Sequence, residues 1–111
     1  MNLKISDGEI IFKILEAELN CLIEEKSVCL RSALGGVAFM AKILVVDGCP
    51  SELKFNADHA KVNLALQVST EGLRALKEMG KDRDGISMMC GDTKVYLQVD
   101  LKSDSRPRKA A

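Results

Sequence analysis

The sequence predicts a single α+β domain, and three features of the chain lead to this fold class. Apolar residues alternate with polar ones in several short runs, they follow helical spacing in two others, and tight-turn signals separate these segments. The chain has 111 residues, of which 47% are hydrophobic and 29% are charged, a balance typical of a globular protein with one core. We predict a mostly antiparallel, strongly curved sheet or partial barrel of about seven or eight strands with two short helices.

The first element is a predicted hairpin. Asp7-Gly8 lies between two alternating runs, and this dipeptide is a strong signal for a two-residue hairpin turn. Such a turn pairs Ile5 with Ile10 and Leu3 with Phe12, so the apolar residues of both strands share one face.

Two segments follow helical spacing. The first begins after the hairpin and ends near Lys26, and the second follows a capping residue at Ser69 or Thr70 and stops at Gly80. Their apolar stripes are Leu15, Leu19, Leu22 and Ile23 in the first helix, and Leu73, Leu76 and Met79 in the second.

The remaining alternating runs predict three more hairpins. They are Val28 to Ser32 with Val37 to Val46, Leu53 and Phe55 with Val62 to Val68, and Ile86 to Cys90 with Val95 to Leu101. The order ββα-ββ-ββα-ββ is the same on both sides of Cys49-Pro50, which predicts a structural duplication without a visible residue-level repeat. We assign residues 1–102 to the domain and residues 103–111 to a disordered tail.

Charge and cysteine usage bear on partners and location. Sixteen basic residues balance sixteen acidic ones, so no net field favours nucleic acid or an anionic membrane, and we expect neither as a partner. Residues 1–12 lack a secretory pattern, and the apolar run Val37 to Val46 is too short to cross a bilayer. Four irregularly spaced cysteines indicate reduced thiols, so we predict a cytoplasmic protein.

No convergent set of catalytic residue types stands out. The candidates for a site are Cys49, beside a proline in a predicted loop, His59, the only histidine, in a predicted turn, and Tyr96 in the last strand. A Cys-Pro pair can supply a thiolate to haem iron, but the dipeptide is common by chance and a plain loop cysteine is favoured. His59 has no metal-ligand spacing around it, and we predict no cofactor. Other cysteines (Cys21, Cys29 and Cys90) and the aromatic residues are expected in the core.

The sequence therefore favours a non-catalytic binding or assembly module that acts through a sheet face or edge, with a second copy of the chain or another protein as partner. The alternative is a small enzyme or small-molecule-binding protein with a pocket inside the curved sheet, using Tyr96, Cys49 or His59. Nucleic-acid binding through the basic tail residues Arg106 to Lys109 is a third interpretation.

The segment Lys4 to Ile14, followed at once by a Glu-rich helix, resembles the opening of a family of small bacterial proteins of unknown function. Gly35-Gly36 at a strand start, Gly85-Ile86 and the final Val95 to Asp100 are similar to that family as well. The chain departs from the pattern at Leu101-Lys102-Ser103, where a cysteine is expected. The resemblance implies a bacterial protein and no particular activity, cofactor or site residue.

Overall fold

The structure is a computed structural model that describes residues 1–108. Eight strands and two helices follow the predicted order. The strands are β1 (Asn2–Ser6), β2 (Glu9–Ile14), β3 (Ser27–Leu34), β4 (Val37–Val46), β5 (Glu52–Ala57), β6 (Lys61–Ser69), β7 (Ile86–Cys90) and β8 (Thr93–Val99), and the helices are α1 (Glu16–Glu25) and α2 (Thr70–Glu78). The first hairpin has the predicted register, with Ile5 opposite Ile10 and Leu3 opposite Phe12.

The strands form two separate sheets, so the prediction of one mostly antiparallel, strongly curved sheet or partial barrel is wrong. The terminal sheet has the order β1-β2-β8-β7, and the middle sheet has the order β3-β4-β6-β5. Within each sheet two antiparallel hairpins meet at a parallel pair of central strands, β2 with β8 and β4 with β6. Both sheets are therefore mixed and open, and each has two edge strands.

The helices explain why the hairpins divide in this way. Helix α1 connects β2 of the terminal sheet to β3 of the middle sheet, and α2 connects β6 of the middle sheet to β7 of the terminal sheet. The parallel pairs β2–β8 and β4–β6 join strands that are not consecutive in the chain, since a tight turn joins only antiparallel neighbours. At the start of α2 the Ser69 side chain accepts a hydrogen bond from the Gly72 amide at 3.0 Å, which caps the helix as predicted.

The inner faces of the two sheets and the apolar stripes of the helices form one core. Buried residues in the first half correspond to buried residues in the second half at one constant sequence separation. The pairs are Ile10 with Leu64, Phe12 with Leu66, Ile14 with Val68, Leu19 with Leu73, Leu22 with Leu76, Ala41 with Val95 and Ile43 with Leu97. This correspondence exchanges the two sheets, so the predicted duplication of element order is also a duplication of the core.

The last strand and the C-terminal segment differ from the prediction. Strand β8 ends at Val99, and Leu101 lies in a turn rather than in the strand. Residues 103–108, which were predicted to be a disordered tail, pack against both helices; residues 109–111 lie outside the described part of the chain. Ser103 Oγ accepts a hydrogen bond from the Glu16 amide at the start of α1 at 3.1 Å, which satisfies an amide that the helix itself leaves free.

A buried ion pair anchors this segment. The Asp104 carboxylate is 4% exposed, and its Oδ1 and Oδ2 atoms each accept a hydrogen bond of 2.9 Å from Arg106. The same guanidinium donates to the Leu76 carbonyl oxygen near the end of α2 at 2.9 Å. A helix leaves its last carbonyl groups without internal partners. Arg106 therefore caps the C-terminal end of α2 and also neutralises the Asp104 carboxylate.

Candidate functional site

An apolar cleft opens between the two sheets at the end opposite to the helices. It has a volume of about 310 Å³. We call it the open-end cleft. Its apolar lining residues come from both sheets: Ile5 and Ile10 from the terminal sheet, and Phe39, Leu53, Phe55 and Leu64 from the middle sheet. Glu9 is the one charged residue among those that line it. The cleft is therefore a continuation of the core that reaches solvent.

The two sheets differ in hairpin length at this end. The β7–β8 hairpin ends after the pair Cys90–Thr93, whereas the β3–β4 hairpin continues for further pairs up to Leu34–Val37. The tip of the middle sheet thus extends beyond its partner layer. Inward-facing residues near this tip lack the second layer that normally lies about 10 Å away in a sandwich.

Two residues on edge strands are the most exposed members of the cleft. The exposed fraction is 69% for Ile5 on β1 and 67% for Phe55 on β5. Large apolar side chains at this exposure, grouped around a concave surface, are typical of interaction sites. Leu34 at the tip of the β3–β4 hairpin adds another exposed apolar side chain, at 64%.

Sequence reasoning placed Phe55 in the core, and this prediction is wrong. Its alternation with Leu53 correctly assigns it to the inner face of β5, opposite Leu64 of β6. Alternation does not reveal whether another layer covers that face, and here the end of the sheet is uncovered.

The three predicted site residues lie apart. Cys49 is exposed in the loop that follows β4 at the helical end, and His59 is exposed in the β5–β6 turn at the opposite end. Tyr96 lies on the outer face of the terminal sheet, where Lys94 Nζ lies 5.3 Å from its ring centroid. None of the three lines the open-end cleft, so they form no common site.

The cysteine thiols differ in exposure across residues 1–108. All four cysteines are free. Cys29 was predicted to lie in the core, and this prediction is wrong because it is exposed. Burial, and to a lesser extent the Glu52 carboxylate, raises the pKa of the Cys90 thiol, which reduces its thiolate fraction. Within the same residues no group of three or more metal-ligating side chains is close enough to hold an ion.

The Asp58-His59 turn has a structural explanation. Asp58 Oδ1 accepts hydrogen bonds from the Ala60 and Lys61 amides at 2.8 and 2.9 Å. These two amides, with a smaller contribution from the Lys61 charge, lower the pKa of Asp58. The carboxylate therefore stabilises the turn in its charged form rather than acting as a partner for His59.

The fold and the cleft together define a class: an α+β protein with two mixed four-stranded sheets and an apolar opening between them. No protein-family model, curated protein or solved structure shows significant similarity to the chain. The family resemblance of Lys4 to Ile14 accordingly stays a prediction. Among residues 1–108, no helix has the length and apolarity required to cross a membrane.

Proposed function

We propose that this protein is a non-catalytic assembly module whose open-end cleft binds a second copy of the same chain. The observation that supports this proposal is the pair of exposed inner-face residues at equivalent positions of the two edge strands, Ile5 at 69% and Phe55 at 67%. An inner sheet face in water is unfavourable, and a second apolar layer stabilises it.

A second copy supplies that layer without any new type of contact. Two such clefts related by a two-fold axis bring their apolar linings together, so each copy covers the exposed residues of the other. A two-fold interface uses the same patch on both copies and closes after two chains, which gives a dimer rather than a fibre. The apolar lining of the cleft fits a partner surface of the same character.

The experiment is a measurement of molecular mass by size-exclusion chromatography with light scattering over a dilution series. We expect a dimer that dissociates on dilution. Phe55→Ser and Ile5→Ser each remove an exposed apolar side chain from the cleft, and burial of such a side chain contributes about 1–2 kcal/mol. Because the two-fold dimer contains each substitution twice, the expected loss is about 2–4 kcal/mol, which weakens the dimer roughly a hundredfold.

Met89→Ser is the matched control. Met89 is 62% exposed, close to Ile5 and Phe55, but it lies on the outer face of β7, opposite Lys94. The control is expected to dimerise like the unmodified protein. A chain that stays monomeric at every concentration, or a Met89→Ser variant that weakens the dimer as much as Phe55→Ser, would contradict the proposal.

A second candidate function follows from the cleft volume of about 310 Å³, which is near the lower limit of small-molecule sites at about 300 Å³. In this case the cleft binds an apolar small molecule in a monomer. Titration with the dye N-phenyl-1-naphthylamine distinguishes the two. Saturable binding of one dye per monomeric chain, weakened in Phe55→Ser and retained in Met89→Ser, would favour the ligand-binding function over assembly.

A further inference from the structure

A second concavity lies on the middle sheet near the Gly35-Gly36 turn, away from the helices. It has a volume of about 410 Å³. Polar side chains from two strands line it, namely Arg31 of β3 and Lys61 and Asn63 of β6. Of these residues, Arg31 and Lys61 are exposed at their surface positions, and no carboxylate lines the concavity.

The strand register shows why these groups surround a hollow. Across β3, β4 and β6, Arg31 is opposite Met40 and Met40 is opposite Asn63, while Ala38 is opposite Lys61. Residues in register on neighbouring strands point to the same side of a sheet. The small side chain of Ala38 thus leaves a depression next to Lys61, with Met40 as its apolar floor.

The two cations lack ion-pair partners in residues 1–108. Neither Arg31 nor Lys61 forms a salt bridge there; the ion pairs found are Met1 with Glu18, Arg83 with Asp84 and Arg106 with Asp104. Asp58 is the nearest acid in sequence to Lys61, but its carboxylate is engaged by the amides of the β5–β6 turn. The positive charge at the concavity is therefore not neutralised by a direct contact.

The internal duplication provides a comparison for this corner. In the terminal sheet, the positions equivalent to Lys61, Asn63, Ala38 and Met40 are occupied by Asp7, Glu9, Asp92 and Lys94, and Arg31 corresponds to Met89. One corner therefore has two cations and no acid, while its equivalent has three acids and one cation. The duplicated fold alone does not require a basic corner, since the other copy of the same corner is acidic.

We propose that this concavity of the middle sheet, at Arg31 and Lys61, binds a compact multivalent oxyanion of the phosphate or carboxylate class that also has an apolar part. A guanidinium binds phosphate or carboxylate oxygens through two parallel hydrogen bonds, and an ammonium adds a point charge. Asn63 supplies a neutral donor, while Met40 and Ala38 contact the apolar part. The volume of about 410 Å³ suits a small molecule rather than a polymer.

The test is calorimetric titration of the full chain with tripolyphosphate and, separately, with citrate at low ionic strength. One site per chain is expected for at least one of these probes, and the tighter probe identifies the oxyanion class. Arg31→Gln and Lys61→Gln are each expected to weaken binding about tenfold, because each removes a charge-assisted contact. Lys94→Gln, which removes a cation from the equivalent corner of the other sheet, is expected to leave affinity unchanged.

Two outcomes would overturn the proposal, and two further results would show what the corner binds instead. The first outcome is that neither probe binds. The second is that Lys94→Gln weakens binding as much as Lys61→Gln, which would indicate diffuse attraction to all surface cations. If a single-stranded oligothymidylate binds while both small probes fail, the concavity is a nucleic-acid site. If Arg31→Gln and Lys61→Gln abolish self-association and no probe binds, the corner docks the acidic corner of a second copy.

Discussion

The terminal sheet and the middle sheet have equivalent buried residues on their inner faces, but they differ in the residues of their outer faces and in the lengths of their hairpins. Inner positions such as Phe12 and Leu66 are both fully buried, and both belong to central strands that lead into a helix. At equivalent outer positions the middle sheet has Met40 and the terminal sheet has Lys94. Packing restrains the inner residues of both sheets, whereas the outer faces and strand tips are free to differ, and the two proposed binding surfaces lie there.

The largest expected effect tests whether the two inner faces are energetically equivalent. Phe12→Ala and Leu66→Ala each leave a cavity in the shared core, and each is expected to lower the free energy of unfolding by about 3–5 kcal/mol. Urea denaturation measures this change. Met89→Ala, at an exposed position on the outer face of β7, is the surface control and should cost less than about 1 kcal/mol. A small cost at only one of the two core positions would show that the halves are not equivalent.

The next effect concerns the connection before β7, where the second half departs from the first. Gly85 has φ of +64°, and a Cβ atom added there would lie 2.1 Å from the Leu97 carbonyl oxygen. We expect Gly85→Ala to destabilise the protein by about 2–4 kcal/mol, because backbone strain and a steric clash add.

Gly91→Ala is the matched control for this substitution. Gly91 has a similar φ of +62°, but an added Cβ atom there meets nothing within 4 Å. Only the cost of the left-handed conformation remains, about 1–2 kcal/mol. Thermal or urea denaturation that gives the same loss for both variants would show that the close approach to Leu97 is absent in solution.

The C-terminal segment has no equivalent in the first half, and its ion pair gives a smaller effect. Asp104→Ala leaves the Arg106 guanidinium without its carboxylate, and we expect a loss of about 1–3 kcal/mol. A double-mutant cycle with Arg106→Ala isolates the interaction, with an expected coupling of about 1–3 kcal/mol. Strictly additive losses would mean that residues 103–108 do not hold the helices through this pair.

The smallest effect is the pH dependence of the same pair. Hydrogen bonds from Arg106 hold the pKa of Asp104 below its ordinary value of 3.8. A lowered pKa in the folded state gives stability that is complete above the ordinary value and is lost as the pH falls through the lowered value. The difference in unfolding free energy between the unmodified protein and Asp104→Asn should therefore shrink in acid. Urea titrations at several pH values measure it, and a constant difference would contradict the assignment.

Rules that depend on residues adjacent in the chain were sufficient to predict the order of the helices and strands and the turns between them. The Asp7-Gly8 turn gave the register of the first hairpin, and the cap at Ser69 gave the start of α2, because each depends on residues adjacent in the chain. The pairing of β2 with β8 could not be predicted in this way. Alternation shows which face of a strand is buried and is silent about which distant strand lies beside it.

The predicted site residues lie apart for a related reason. Cys49 and His59 were chosen for their chemistry, but they lie at opposite ends of the middle sheet. Phe55 was assigned to the core because it shares a face with Leu53, and its exposure depends on a layer contributed by the other sheet. The basic corner was also missed, since a balanced net charge does not reveal how charges are distributed.

The sequence by itself determined the order of the elements, their turns and the residues that face inwards, because periodicity and turn chemistry act within a few residues. The tertiary structure decided the division into two sheets, the uncovered tip and the distribution of charge. The strands hold seven of the sixteen basic residues and two of the sixteen acidic ones. Only the pairing of strands distant in sequence gathers Arg31 and Lys61 around one concavity and leaves Phe55 without a covering layer.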